Sequence, residues 1–116
     1  VTPFGARLRE LRAAHNLTQA ELARRLEISA AYLSALEHGK RGTPSVGLVH
    51  QVCAEFGLIW DDADALQALA RMSRPRVKLN TAGLSPEQTA LANRLGVMLP
   101  KLSAEMVARL NAVLDE

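Results

Sequence analysis

Three histidines and one cysteine are the side chains best suited to hold a metal or attack a substrate, and their spacing serves neither purpose. His15, His38 and His50 lack metal-ligand spacing, and Cys53 has no C-x-x-C partner. Cys53 reads as a small apolar core residue. Ser29, Ser34, Ser85 and Ser103 are explained by helix caps or surface, not by nucleophilic chemistry. No glycine-rich phosphate cradle follows a strand. Asp61, Asp62 and Asp64 read as the start of a helix rather than as a cation site. No enzyme activity, metal or cofactor is therefore expected. What remains is recognition by charge and hydrogen bonds. Val1 to Pro44 carries seven Lys/Arg against four Asp/Glu, Ser45 to Ser73 one against four, and Arg74 to Glu116 six against four. A basic N-terminal stretch beside an acidic one suits a face turned to an anion such as nucleic acid, although the net charge is only +2.

The elements that must position those groups are helices. Of the 116 residues, 48% are hydrophobic but only 3% aromatic. A core of Leu, Ala and Val suits stacked helices better than a sandwich of strands. Phe4, Leu8 and Leu11 recur at helical spacing, and His15 and Asn16 mark the end of that first helix. Thr18 to Glu21 is a capping box opening a second helix whose inner face is Leu22, Ala23 and Leu26. Glu27 and Ile28 make a turn, Ser29 caps a third helix with Leu33 and Leu36 inward, and Gly39 ends it. After a basic loop, Lys40 to Gly42, Thr43 and Pro44 are expected to open a fourth helix carrying Val49, Val52, Cys53 and Phe56. Asp61 to Ser73 reads as a fifth, anchored by Leu66, Leu69 and Met72.

Arg74 to Lys78 breaks the pattern. Two further helices follow the caps at Ser85 and Ser103, with Gly96 and Pro100 bounding the turn between them. Their apolar positions are Leu91, Leu95 and Met98, then Met106, Leu110, Val113 and Leu114. No apolar run is long enough to span a membrane. Val1 to Phe4 lacks the layout of a signal peptide, and a cytoplasmic location is expected.

The stretch from Leu17 to Gly39 resembles the helix-turn-helix of the Cro/cI family, also called the XRE family. Thr18-Gln19 opens the second helix, Leu22-Ala23 lies within it, Ser29 opens the third, and Glu37-x-Gly39 closes it. The likeness continues to Gly57-Leu58. It implies that the third helix enters the major groove of double-stranded DNA while the second lies across the backbone. In that family the position of Gln19 meets phosphate, those of Ala30, Ala31, Ser34 and Ala35 face base edges, and His38, Lys40 and Arg41 lie in a backbone-gripping loop. The resemblance also implies an ion pair between Arg12 and Glu37. Alanine can only touch a thymine methyl. Direct readout should then lean on Gln19, Ser34 and Tyr32, beside the capping Ser29, with modest base discrimination per half-site. One departure is Glu27, where the family usually has the glycine that tolerates positive φ.

The expectation is an all-α protein: a five-helix DNA-binding bundle over residues 1–73, a linker over 74–83, and a helical hairpin over 84–116 for dimerisation or interaction. The expected function is sequence-specific transcription regulation, as a repressor that binds palindromic operators as a homodimer. The alternative is an antitoxin that binds a toxin and regulates its own operon.

Overall fold

The computed structural model describes residues 2–40 and 43–116. Among them the chain forms seven α-helices and one 3-10 turn, with no strand. Two compact units result, Val1–Val77 and Lys78–Glu116.

Helix α1 (Pro3–Ala14) begins where Thr2 accepts the Gly5 amide at 3.0 Å and Pro3 presets the first helical φ. Phe4, Leu8 and Leu11 all face inward. Helix α2 (Gln19–Leu26) has the reciprocal cap, in which the Thr18 hydroxyl accepts the Glu21 amide and the Glu21 carboxylate accepts the Thr18 amide, both at 3.1 Å. Glu27 then takes the left-handed conformation, φ 58° and ψ 40°, that a glycine would adopt without strain. Helix α3 (Ala30–Glu37) starts at Ser29, whose hydroxyl accepts the Tyr32 amide at 3.0 Å, and is stopped by Gly39 at φ 74°.

Helix α4 (Val46–Phe56) departs from expectation at its start. Its cap is Ser45, whose hydroxyl accepts the Leu48 amide at 3.1 Å, not Thr43. Pro44 is buried ahead of the helix instead of opening it. Helix α5 (Asp61–Arg71) begins at Trp60, which has a positive φ of 51° and no side-chain cap. The carboxylates of Asp61, Asp62 and Asp64 complement its N-terminal dipole instead. The helix ends two residues earlier than its periodicity suggested. Leu66 and Ala70 are buried and Leu69 partly so, but Met72 falls in the C-terminal turn and points out, 66% exposed. Ser73 takes the inner place, with its hydroxyl accepting the Phe4 amide at 2.9 Å and donating to the Leu69 carbonyl.

In this unit α1 packs on α3 and α5, α2 on α3 and α4, and α4 on α5. Leu22, Leu33 and Val52 are sealed from solvent. Each such side chain stabilises the fold by roughly 1.5–3 kcal/mol. Arg25 on α2 meets Glu55 on α4 at 2.7 Å, but this pair is half exposed and adds at most about 1 kcal/mol.

The second unit comprises α6 (Pro86–Met98), a 3-10 turn (Leu99–Lys101) and α7 (Ala104–Leu114). Ser85 and Gln88 form a capping box, and Ser103 accepts the Met106 amide. Gly96 lies inside α6 rather than at the turn. It is exposed with open space around it, where a helical glycine costs only about 1 kcal/mol relative to alanine. The two helices are not packed side by side along their lengths, and neither buries a residue.

Candidate nucleic-acid interface

Helix α3 has two unlike sides. Leu33, Leu36 and Glu37 are buried. Ala30 and Ala31 stand exposed opposite them, with Ser34 and Ala35 partly exposed beside them. Eight residues make a rod about 12 Å long. With alanines on its outer side, that rod is slim enough for a groove about 12 Å wide.

Its orientation is held by one buried carboxylate. Glu37 has no exposed surface. Arg12 Nε donates to Glu37 Oε2 at 2.9 Å and Arg12 Nη2 to Glu37 Oε1 at 3.0 Å, a two-pronged pair. Gln19 Nε2 donates to the same Oε1 at 2.9 Å. Arg12 Nη1 donates onward to the Leu17 carbonyl at 3.1 Å. One polar network thus ties α1, the segment before α2, the first residue of α2 and the last residue of α3. A buried charge so fully partnered fixes geometry, and removal of any donor leaves part of it unsatisfied. Gln19, expected to reach outward, is anchored inward through its amide nitrogen.

Gly5 supports the same junction. A Cβ there would overlap the Leu36 carbonyl and sit 2.9 Å from that of Glu37, so only glycine lets α1 lie this close to the end of α3. Its position inside an amphipathic helix is a weak signal for such an approach, because Gly47 in α4 and Gly96 in α6 sit in helices with no such crowding. Ser73 and the Gln19–Glu37 bond had no comparable signal. Both join residues far apart in sequence.

The remaining residues distribute as follows. Tyr32 is half-buried against the core. With Ile28, Ser29, Ser45, Leu48 and Gln51 it lines an open cleft of about 410 Å³ beside the start of α3. His38 Nδ1 lies 2.8 Å from the Ser34 carbonyl and 3.4 Å from its hydroxyl, so this ring is folded back on the end of α3. Lys40 is exposed at the beginning of the following loop. Arg41 lies outside the described residues. Arg24 and Arg25 are exposed on α2. The Thr18 amide, then the Thr18 hydroxyl, hold the Glu21 carboxyl below its ordinary value, with Arg25 and Arg24 adding to the effect. The cap is therefore complete at neutral pH and weakens as pH falls through that lowered value. Burial alone pushes the Cys53 thiol up, consistent with an inert apolar role.

Residues 3–66 match the family model described as helix-turn-helix domain. An HTH-type transcriptional regulator of Bacillus subtilis (strain 168), uncharacterised and named RghRB, is 46% identical over 54 residues. The match takes in 47% of this chain and 39% of that protein, well under half the length of the relative. No solved structure matches the chain. The family match runs from α1 into α5 and so includes Gly5, the Arg12–Gln19–Glu37 network and the outer side of α3; the chain belongs to the helix-turn-helix domain family.

Proposed function

We propose that this protein is a sequence-specific DNA-binding transcriptional regulator of the Cro/cI type, acting in the cytoplasm as a repressor that binds palindromic operators as a homodimer. The observation that carries the reading is the bare outer side of α3, with Ala30, Ala31 and Ser34 facing away from a core that locks the helix through Glu37. A rod so rigidly held and so free of bulk is suited to entering the major groove. The amides at the start of α2 are suited to phosphate, and Gln19 Nε2, which gives one hydrogen to Glu37, keeps a second for a phosphate oxygen. His38 and Lys40, and by the family resemblance Arg41, are assigned to the DNA backbone. With alanine at three of the four base-facing positions, much of the selectivity falls to half-site spacing and DNA shape.

The test is selection of duplex DNA from a random pool by the purified chain. The expected product is a palindrome with weakly specified half-sites at a fixed spacing. Neutralisation of about six phosphates by two copies would cut affinity roughly 10³-fold between 50 and 200 mM salt. An unchanged pool, or salt-insensitive binding, would overturn the proposal. The exposed apolar side chains of α6 and α7 also suit the second reading, an antitoxin whose tail sequesters a toxin. A stoichiometric complex with the product of an adjoining gene would favour that reading.

A further inference from the structure

We infer that the basic segment after α5, Arg74-Pro75-Arg76-Val77-Lys78, is an arm that enters the minor groove of DNA beside the major groove read by α3. The inference rests on the DNA-binding reading above and adds a second contact region to it. Between Asp64 and Glu87 the chain carries Arg71, Arg74, Arg76 and Lys78 and no carboxylate side chain. Among the described residues, none of these cations takes part in an ion pair. Residues 74–80 are all exposed and form neither helix nor strand. Val77 and Leu79, at 69% and 62% exposure, do not hold the segment to a core. A run of cations without neighbouring acids concentrates positive potential and favours a polyanion.

Placement selects the part of the duplex that the arm meets. Ser73, the residue before the arm, accepts the Phe4 amide at 2.9 Å and so fixes the start of the arm to the first turn of α1. The next residue of α1, Gly5, lies against the Leu36 and Glu37 carbonyls at the end of α3. Arg71, in the last turn of α5, shares a cleft with Thr43 and Pro44 in the connection from α3 to α4. The arm therefore leaves the first unit beside the C-terminal end of α3 and next to the loop assigned to the DNA backbone. With α3 in the major groove, the minor groove lies across that backbone. Laid out, the five residues of the arm span about 16 Å, more than twice the roughly 6 Å width of that groove. Pro75 limits Arg74 to extended conformations, which lowers the cost of ordering the arm. Alternate residues of an extended chain face one way. Arg74, Arg76 and Lys78 then turn to the DNA, and Pro75 and Val77 turn away. Arginine is drawn to the strong negative potential of a narrow, A·T-rich minor groove.

The experiment is selection of duplex DNA from a random pool by the full chain, for wild type and for Arg74→Gln with Arg76→Gln, followed by titration of the wild-type product with both proteins at several salt concentrations. Wild type is expected to select an A·T run adjoining each half-site. The double variant is expected to select the same half-site without that run. Its affinity should fall at least about tenfold, and its salt slope by about two per chain. Both positions are exposed, so the denaturant midpoint should remain that of wild type. Wild-type half-sites without an A·T run, or a variant equal to wild type in selected sequence and affinity, would overturn the inference alone and leave the DNA-reading proposal standing. Weaker binding with the A·T run kept would place the arm on phosphates and overturn the minor-groove assignment. No sequence enriched by wild type would overturn the inference together with the reading it rests on.

Discussion

The two units of this chain are built from equally good helices and differ in what those helices meet. In the first, every helix buries part of one face, and α1 to α5 enclose a continuous core from Phe4 to Ala70. In the second, the caps are as well formed as any in the molecule, yet nothing is enclosed. Local signals therefore specify helices in both units, but only the first carries its own tertiary support. Helical stability in proteins comes mainly from a packed apolar face rather than from propensity. The reading unit is complete as a scaffold, and the tail calls for something to cover it.

The contrast between the two units rests most heavily on Glu37. Glu37→Ala removes a carboxylate that three donors converge on and is expected to destabilise the first unit by about 3 kcal/mol, the lower end for buried pairs because Arg12 is partly solvated. Urea unfolding followed by far-ultraviolet circular dichroism measures it. Next is a matched pair of truncations. Leu33→Ala should cost about 3 kcal/mol by cavity formation. Leu91→Ala should leave the same transition within about 0.5 kcal/mol, as an exposed substitution does. Equal losses at the two sites would erase the contrast between the units. Gln19→Ala should cost about 1 kcal/mol by leaving one oxygen of Glu37 short of a donor, and should also weaken DNA binding. If the stability is unchanged while binding falls, the inward bond is incidental and only the phosphate role remains. The smallest effect has the opposite sign. Glu27→Gly should stabilise the protein by about 0.5–1 kcal/mol, because it relieves a left-handed glutamate in the turn between α2 and α3.

Much of this was legible in the sequence. The caps at Thr18, Ser29, Ser85 and Ser103 lie where hydroxyls precede apolar periodicity, a relation confined to a few neighbouring residues. The inner faces of α1 to α4 follow from 3.6-residue spacing in the same way. Sequence and structure differ where several local candidates compete. Thr43 and Ser45 are both plausible caps, and only the path into the core, with Pro44 buried, favours Ser45. Met72 fits the apolar rhythm, but the helix stops at Arg71 because Ser73 is drawn to the amide of Phe4, 69 positions away. No local pattern encodes such a bond. The outward role expected of Gln19 came from the family resemblance, whereas its bond to Glu37 depends on how α2 and α3 lie on α1. A hairpin is expected of the tail because two helices joined by a short turn usually fold together. Their apolar stripes were readable, but which surface each stripe meets was not.

On the proposed reading the outer side of α3 faces base pairs. The most direct test is DNA selection with Ala31→Gln beside the wild type, at one salt concentration. Glutamine at a base-facing position can donate to and accept from adenine. A new preference for A·T at one symmetric position of each half-site is expected, with the half-site spacing unchanged. An identical selected sequence from both proteins, bound with equal affinity, would mean that this side of α3 does not touch the bases.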